Sequence, residues 1–347
     1  MNVYYLTIVS VFFTALIAQY AGRSNQNNVF FVFLTGFILT IVAGLRYKVG
    51  TDYTQYIANY NFYITEFWDN LIRFNEPGVS IIAKISSWIY DDYATYIFLA
   101  SVITIGLSIN TISKYSKTFM FSVLLFIFIG AWHGSFNGVR QFLACAIIFA
   151  GHRYIIEKKL LKYFIVLFLA SMFHITAAVM AFLYLIPLKK LNLTKTILLV
   201  VGSMLLLYSY SYIFDFVDTI KGKSIVLDEY VLTEVNYFRI AVSFAPLLAY
   251  YFLSSKTRLN SEDYFYINIL FINAALMYVT SSSAYLARIA IYTNIFTVLS
   301  LPRILNLKNP ILDTLIKYLI IILYAFFWYV EVSNSYSLSN FQWIFER

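Results

Sequence analysis

The stretch FMFSVLLFIFIGAWHGSF, residues 119–136, decides the fold class of this chain, because it contains no Asp, Glu, Lys or Arg. A helix needs about 20 predominantly apolar residues to cross the hydrocarbon core of a bilayer. The run is close to that length, and charges flank it, with Lys117 before it and Arg140 after it. It therefore predicts a membrane-spanning helix over residues 118–136.

Similar apolar runs recur on both sides of this stretch. The other predicted spans are 3–20, 28–45, 93–112, 139–156, 196–214, 237–254, 264–283, 285–304 and 311–331. Residues 78–90 are apolar but short, which favours a re-entrant or surface helix. Residues 161–187 are too long for one span and favour a short helical hairpin. The sequence thus predicts an all-α polytopic integral membrane protein, a single multi-pass domain over residues 1–347 with about 10–12 spans plus re-entrant or short helices.

Composition supports this prediction and excludes other classes. Charged residues make up 12% and hydrophobic residues 61%, and mean hydropathy is +0.73. A soluble domain has about 25% charged residues, so this chain has too little polar surface to fold as a soluble globular enzyme. The net charge of +8 comes mostly from Lys and Arg in short links between apolar runs, as in topology signals. We therefore expect no nucleic-acid partner.

The basic residues also predict the orientation. If the N-terminus lies outside, most Lys and Arg residues fall in links on one side of the membrane and most acidic residues on the other. The positive-inside rule makes the basic side cytoplasmic. The two long polar stretches, 46–77 and 215–236, are then loops on the outer side.

Four arginines lie at or just inside the predicted outer ends of spans: Arg46, Arg140, Arg239 and Arg288. A charge near hydrocarbon costs at least ~2.5 kcal/mol, so such residues are kept where they face a polar cavity. His174 falls at the predicted outer apex of the 161–187 hairpin. This convergence predicts a site for an anionic ligand, reached from outside and from the membrane.

Two motifs carry the strongest signals. In GLRYKVGTDYTQY, residues 44–56, Arg46 offers a planar fork for phosphate oxygens, and Asp52 could orient Arg46 or act as a base. In NGVRQ, residues 137–141, the start of a helix favours an anion. Arg140 is unfavourable there because of the helix dipole, and a bound phosphate would explain it. The alternatives are a juxtamembrane turn for the first motif and a snorkelling arginine for the second.

Weaker candidates lie elsewhere along the chain. His174 is the central residue of a predicted break at membrane depth. Arg288 and Tyr292 are one helical turn apart on one face. Arg239 begins a predicted span, and Glu76 precedes the short apolar segment, either as a second site carboxylate or as a helix-start acid.

The pair Asp91-Asp92 is the one candidate for a metal, but no third ligand is apparent in the sequence. A turn is the simpler interpretation of this pair. Cys145 is the single cysteine, so neither an intramolecular disulfide nor a cysteine metal cluster can form. No nucleotide-binding, serine-hydrolase or zinc-hydrolase motif occurs, and we expect neither a metal nor another cofactor.

Taken in order, these motifs resemble the EpsG family, which are Wzy-like polysaccharide polymerases of bacterial inner membranes. The matching residues include Gly44 to Tyr56, Glu76-Pro77-Gly78, Val139-Arg140-Gln141, Phe173-His174, and Arg288 with Tyr292. The resemblance implies a GT-C-like helix bundle in the inner membrane, with its active site and the loops 46–77 and 215–236 facing the periplasm. It also implies that the chain joins repeat units linked to undecaprenyl diphosphate, for O-antigen, capsule or exopolysaccharide.

Under this hypothesis the donor is a glycan on undecaprenyl diphosphate and the acceptor is another lipid-linked repeat. Arg46, Arg140, Arg288 and Arg239 are predicted to neutralise the departing diphosphate without a metal. His174 is the first candidate for the general base, and Asp52 and Glu76 are the alternatives. Further predicted site residues, which would contact sugar or orient the others, are Gln141, Tyr56 and Tyr292.

Two other functions remain open. An O-antigen ligase would use the same donor with a different acceptor. A transporter for lipid-linked sugars would need polar residues along a path through the membrane, whereas the costly polar residues here cluster at one face. The expected partners are the lipid-linked donor and acceptor, the bilayer, and a possible chain-length regulator.

Overall fold

The computed structural model describes residues 1–22, 26–191, 234–257, 259–281 and 283–347, with isolated described positions between 194 and 205. The predicted span 196–214 and most of the predicted loop 215–236 therefore lie outside the described residues. The chain forms two compact units. The first unit contains Met1–Tyr184 and Asn309–Arg347, and the second contains Leu185–Lys308.

The first unit is built almost entirely from helices. Its α-helices are α1 (Asn2–Tyr20), α2 (Val29–Gly44), α3 (Tyr53–Thr65), α4 (Phe67–Ile72), α5 (Pro77–Ile89), α6 (Tyr93–Tyr115), α7 (Phe119–Phe128), α8 (Ala131–Asn137), α9 (Val139–Gly151), α10 (Arg153–Ile156), α11 (Leu160–Ser171), α17 (Pro310–Ser333) and α18 (Tyr336–Ser339). Two 3₁₀ helices, Ile175–Leu185 and Ile344–Glu346, and two short strands, β1 (Arg46–Tyr47) and β2 (Gln342–Trp343), complete the unit.

Within the described part of the chain, five helical segments are long and apolar enough to cross a membrane. The segment Phe119–Asn137 is 83% buried, whereas α17 is 17% buried and α1 is 28% buried. Residues 119–136 therefore lie in the interior of the first unit, and α1 and α17 carry large exposed apolar side chains on its surface. The predicted all-α polytopic membrane fold is confirmed.

Local sequence explains where several helices begin and end. The side chain of Asn28 accepts hydrogen bonds from the N–H groups of Phe30 and Phe31 at the start of α2, which is an N-cap. Asn309 caps α17 in the same way, with Pro310 in the first turn. Gly130 has φ 89° and separates α7 from α8, so the predicted span 118–136 is interrupted at the residue type that tolerates this backbone.

A short antiparallel ribbon ties together distant parts of the first unit. Arg46 pairs with Trp343 and Tyr47 pairs with Gln342. The N–H of Gly50 donates to the carbonyl of Ser337 at 3.0 Å. The terminal amine of Met1 donates to the carbonyl of Ser339 at 3.2 Å. The chain start, the segment after α2 and the last residues are therefore close to one another.

The region 161–187 folds as a helical hairpin, as the sequence predicts. The α-helix α11 ends at Ser171, and the 3₁₀ helix begins at Ile175. The hydroxyl of Tyr163 donates to the carbonyl of Met180 at 2.7 Å, and Nζ of Lys158 donates to the carbonyl of Tyr184 at 3.2 Å. Residues early in one helix thus contact residues late in the other, so the two arms are antiparallel and His174 lies at their apex.

The second unit contains α12 (Tyr237–Leu253), α13 (Asp263–Val279), α14 (Ala284–Ala287), α15 (Ile291–Asn294) and α16 (Thr297–Ile304), with 3₁₀ turns at Ser254–Lys256 and Arg288–Ala290. The predicted span 285–304 is therefore divided into short helices. A buried ion pair joins two of these elements, with Nε of Arg303 3.1 Å from Oδ1 of Asp263. Burial of this pair is supported by hydrogen bonds from Arg303 to Leu299 and from Asn260 to Asp263.

Candidate functional site

The centre of the candidate site is an ion pair between Arg140 and Glu76. Arg140 is the second residue of α9, and Glu76 immediately precedes α5. Nη1 of Arg140 donates to Oε2 of Glu76, and the two side chains are 30% and 19% exposed. Glu76 has φ 50°, a left-handed conformation that costs energy for a residue with a Cβ. The structure therefore brings a partly accessible arginine into direct contact with the carboxylate of a residue whose backbone is in the left-handed region.

A tyrosine from α3 fixes the start of α9. The hydroxyl of Tyr56 donates to the carbonyl of Asn137 at 2.7 Å and accepts a hydrogen bond from the N–H of Val139 at 3.0 Å. The side-chain oxygen of Asn137 accepts from the N–H of Thr51 at 2.8 Å. Because these bonds bracket the helix start, they set the position from which Arg140 projects.

One face of α3 carries four buried tyrosines, Tyr53, Tyr56, Tyr60 and Tyr63. Of these, Tyr56 and Tyr63 lie near Arg140. Burial raises the pKa of Tyr63, and the nearby positive charge of Arg140 opposes this rise. Burial raises the pKa of Tyr56 to about 12, against the opposing effect of the Arg140 charge, so its hydroxyl stays protonated at neutral pH. Sequence reasoning did not single out Tyr63, although the tyrosine spacing of three, four and three residues is that of one helical face.

Arg46 has a different environment from Arg140. Its side chain is 1% exposed. Its guanidinium donates to the carbonyls of Ala43, Val49 and Phe136, and it lies 4.8 Å from the centre of the Phe136 ring. Burial lowers the pKa of Arg46 to about 10, which still leaves it charged at neutral pH. Direct contact with a diphosphate would require these backbone bonds to be replaced.

Gly50 allows the segment that follows Arg46 to approach the junction of α8 and α9. It has φ 107°, and a Cβ at this position would lie 2.6 Å from the carbonyl oxygen of Phe136. Asp52 is partly exposed at the start of α3, where its Oδ1 accepts from the Thr51 hydroxyl at 3.0 Å. Gln141 follows Arg140 and is buried. The two strongest motifs in the sequence are therefore in contact.

His174 lies at the hairpin apex, which packs against the residues following Glu76. The N–H of Gly78 donates to the carbonyl of Met172 at 2.9 Å. A Cβ on Gly78 would lie 2.8 Å from the ring of Phe173, so glycine permits this approach. Nδ1 of His174 is 3.3 Å from the hydroxyl of Thr176, and the imidazole is half-buried. The segment containing Glu76 thus meets the apex containing His174.

The carboxylates of Asp91 and Asp92 contact other parts of the first unit. Oδ1 of Asp91 accepts from the Tyr60 hydroxyl at 3.1 Å. Asp92 caps α6 through the N–H of Ala94 and lies 2.7 Å from Nη1 of Arg347. Among the described residues, no group of three His, Cys, Asp or Glu side chains could hold a metal ion.

Three predicted site residues belong to the second unit. Arg239 is exposed in the first turn of α12, Arg288 is half-buried at the start of a 3₁₀ turn, and Tyr292 is 1% exposed in α15. Glu76, Arg140 and Tyr56 share one cluster in the first unit, together with Asn137 and Tyr63. The participation of Arg239, Arg288 and Tyr292 in the same chemistry stays a prediction.

In a comparison with protein families, the model of the EpsG family matches residues 28–344 of the chain. This range covers nearly the whole chain and includes every predicted site residue. Comparison with curated proteins gives no match, and comparison with solved structures gives none either.

Proposed function

Because the chain belongs to the EpsG family, a family of Wzy-like polymerases, we propose that it joins lipid-linked oligosaccharide repeat units into a polysaccharide. The donor is a glycan on undecaprenyl diphosphate, and the acceptor is a second lipid-linked repeat. The product is an O-antigen, capsule or exopolysaccharide. The proposed place is the periplasmic face of a bacterial inner membrane, in a helix bundle of the GT-C-like kind.

The observation that carries this proposal is the ion pair between Arg140 and Glu76. A guanidinium forms bidentate hydrogen bonds with phosphate oxygens as well as with carboxylates. A donor diphosphate can therefore replace Glu76 at Arg140. This exchange brings the negatively charged diphosphate into contact with the Arg140 guanidinium. It also leaves the Glu76 carboxylate free beside the diphosphate.

The reaction then proceeds by attack of an acceptor sugar hydroxyl on the anomeric carbon of the donor. A new glycosidic C–O bond forms, and the bond from the anomeric carbon to the diphosphate oxygen breaks. Undecaprenyl diphosphate leaves with the electron pair, and Arg140 stabilises its negative charge. The hydroxyl proton passes to a base, for which the released Glu76 is our first choice.

The other predicted residues take supporting roles. His174 is the second candidate for the base because its segment contacts the turn after Glu76, and Asp52 is the third. Tyr56 and Gln141 are proposed to orient Arg140 or contact sugar, as is Tyr292 in the second unit. Arg46 is proposed to act chiefly by holding the segment after α2 in place. Arg239 and Arg288 are proposed as additional cations for the diphosphate, and a chain-length regulator as a possible partner.

The experiment that tests the function uses purified protein and lipid-linked repeat units alone. Polymer longer than one repeat, formed without a lipid A core acceptor, identifies a polymerase. A product that forms only after lipid A core is added identifies a ligase and contradicts the proposal. The absence of any glycosidic product, combined with movement of the lipid-linked repeats across vesicle membranes, identifies a transporter.

Substitution of Arg140 tests the site. We expect Arg140→Gln to lower the polymerisation rate on the order of a hundredfold or more, comparable to the loss of one oxyanion donor. Arg140→Lys should restore only part of the rate, since an ammonium lacks the bidentate fork. The initial rate and the amount of folded protein are measured together.

Two controls make this result specific. Arg140→Gln with Glu76→Gln removes both charges, and its unfolding midpoint, compared with that of Arg140→Gln, measures the cost of an unpaired carboxylate; its rate is not used, because Glu76 is itself the proposed base. Arg73→Gln removes an arginine whose side chain is 75% exposed and pairs with Asp69, and it should leave the rate unchanged. A wild-type rate from folded Arg140→Gln would remove Arg140 from the site.

Chelation tests the proposed independence from metals. If arginines neutralise the diphosphate, EDTA should leave the polymerisation rate unchanged. The rate is measured with EDTA and after addition of Mg²⁺ or Mn²⁺. Loss of activity in EDTA with recovery on metal addition would contradict metal independence, and Asp91→Asn and Asp92→Asn would then show whether this pair binds the metal.

A further inference from the structure

A groove lies along the hairpin of the first unit and ends near the turn that carries Glu76. Its volume is about 440 Å³, within the roughly 300–1,000 Å³ of typical ligand pockets. Apolar side chains line it, apart from the hydroxyl of Ser171. The side chains of Phe164 and Phe168 on its α11 side are exposed, so the groove is open at the surface of the unit.

The two walls of the groove follow from the two kinds of helix in the hairpin. On α11 the lining residues are Phe164, Leu167, Phe168 and Ser171, spaced as one face of an α-helix. On the other arm they are Ile175, Ala178 and Ala181. Side chains three residues apart eclipse one another in a 3₁₀ helix, so these three form a straight row. At about 2.0 Å per residue the row is roughly 12 Å long.

One end of the groove adjoins the candidate site. Phe74 lines this end, two residues before Glu76, and its ring centre lies 5.7 Å from that of Phe168. Ser171 and Ile175 flank the apex that contains His174. The Gly78 N–H bonds the same apex through Met172. One lining residue of the groove, Phe74, is therefore two residues along the chain from Glu76, which pairs with Arg140.

We propose that this groove binds the polyisoprenyl chain of the lipid-linked substrate, next to its diphosphate. The proposal rests on the proposed function. The polyisoprenyl chain is covalently attached to the diphosphate. If the diphosphate binds at Arg140, the first isoprene units need an apolar surface that begins beside the site. The groove supplies that surface. Ala178 and Ala181 end at Cβ, which leaves room on their wall for the methyl branches of an isoprenoid.

The test measures binding of sugar-free undecaprenyl diphosphate to the full-length protein in lipid nanodiscs by native mass spectrometry. Ala178→Trp and Ala181→Trp fill the groove, and each should weaken binding about tenfold, equivalent to about 1.4 kcal/mol. Leu169→Trp is the matched control, because Leu169 is exposed on α11 but does not line the groove. It should bind as the wild type does.

Two further ligands distinguish binding of the polyisoprenyl chain from binding of the diphosphate headgroup. Binding of undecaprenol, which has no diphosphate, should be weakened by Ala178→Trp but not by Arg140→Gln. Phosphatidylglycerol should compete poorly. Competition by phosphatidylglycerol equal to that by undecaprenol would assign the groove to bilayer acyl chains and overturn the proposal.

The outcomes distinguish this inference from the function on which it rests. If the wild type does not bind undecaprenyl diphosphate, the proposed function fails. If the wild type binds it, Arg140→Gln loses it and both tryptophan variants keep it, only the groove inference fails. If the tryptophan variants do not fold, wild-type protein is labelled with a polyprenyl diphosphate that carries a diazirine on its first isoprene units. Labels on the two walls support the proposal, and labels confined to α1 or α17 overturn it.

Discussion

At the scale of single residues, Arg46 and Arg140 show how environment divides one residue type into two roles. The guanidinium of Arg46 donates hydrogen bonds to three backbone carbonyls, and its side chain is nearly inaccessible to solvent. Arg140 is partly accessible and pairs with a carboxylate, a partner that an anion can replace. Loss of Arg46 would leave three buried carbonyls with one hydrogen bond fewer each, so its substitution should act first on folding.

A pair of serines in α5 gives a stability prediction at this scale. The hydroxyl of Ser80 has no hydrogen-bond partner within the described parts of the chain, whereas that of Ser86 donates to Ala83 at 2.7 Å. Both side chains are fully buried. An unsatisfied buried polar group costs about 1–3 kcal/mol, so Ser80→Ala should raise the thermal unfolding midpoint of the purified protein. Ser86→Ala should leave it unchanged or lower it. A midpoint below wild type for Ser80→Ala would contradict the prediction.

At the scale of elements, the site depends on how α3 and α9 meet. The start of α9 has no side-chain cap of its own, and the Tyr56 hydroxyl from α3 occupies that position. The same helix places Tyr63 near Arg140. The element that looks like a polar loop in the sequence, residues 46–77, is therefore largely helical, and it orients the first turn of another helix.

The hydroxyl of Tyr56 can be tested against a neighbour in the same helix. Tyr56→Phe removes two hydrogen bonds at the start of α9, each worth about 0.5–1.5 kcal/mol. We expect a lower unfolding midpoint because the two hydrogen bonds are lost. We also expect a lower kcat, with KM for the acceptor little changed, because the loss of these bonds shifts Arg140 from its position. Tyr60→Phe removes a hydroxyl that bonds Asp91 and should affect the midpoint alone. An equal loss of kcat in both variants would assign Tyr56 a purely structural role.

At the scale of the whole molecule, the ribbon between β1 and β2 constrains the topology. Pairing of Arg46 with Trp343 requires that the end of α2 and the last residues of the chain lie on one side of a membrane. The bond from the Met1 amine to Ser339 places the chain start on that side as well. The positive-inside rule predicts that this side is the face opposite the lysine-rich links.

Cysteine labelling checks this topology in permeabilised cells, with a thiol reagent that does not cross the inner membrane. We expect Asn61→Cys and Tyr336→Cys to react and Lys189→Cys to remain unreacted, because Lys189 belongs to a predicted cytoplasmic link. All three positions are exposed, and native Cys145 is buried, so it serves as an internal control. Reaction of Lys189→Cys from the outer side would refute the orientation.

Features that depend on a short window of sequence were predictable. The length of an apolar run determines whether a helix can cross hydrocarbon. Most spans, such as residues 119–136, and the hairpin break at His174 were therefore predicted from the lengths of their own apolar runs. Arg46 and Arg140 also stood out locally, because charge at the end of an apolar run is costly. The division of residues 285–304 into short helices was not predicted, since apolar length alone does not determine the helix type.

The contacts that give these residues different roles depended on tertiary structure. Arg140 meets Glu76 across 64 residues of chain, and Arg46 meets Phe136 across 90. The sequence determined that this protein is a membrane helix bundle with costly polar groups at the ends of its spans. Only the tertiary structure decided which arginine faces a carboxylate and which faces backbone carbonyls. The cost of placing a charge at the end of an apolar run depends on neighbouring residues in the sequence. The hydrogen-bond partner of that charge comes from a distant part of the chain, which only packing brings near.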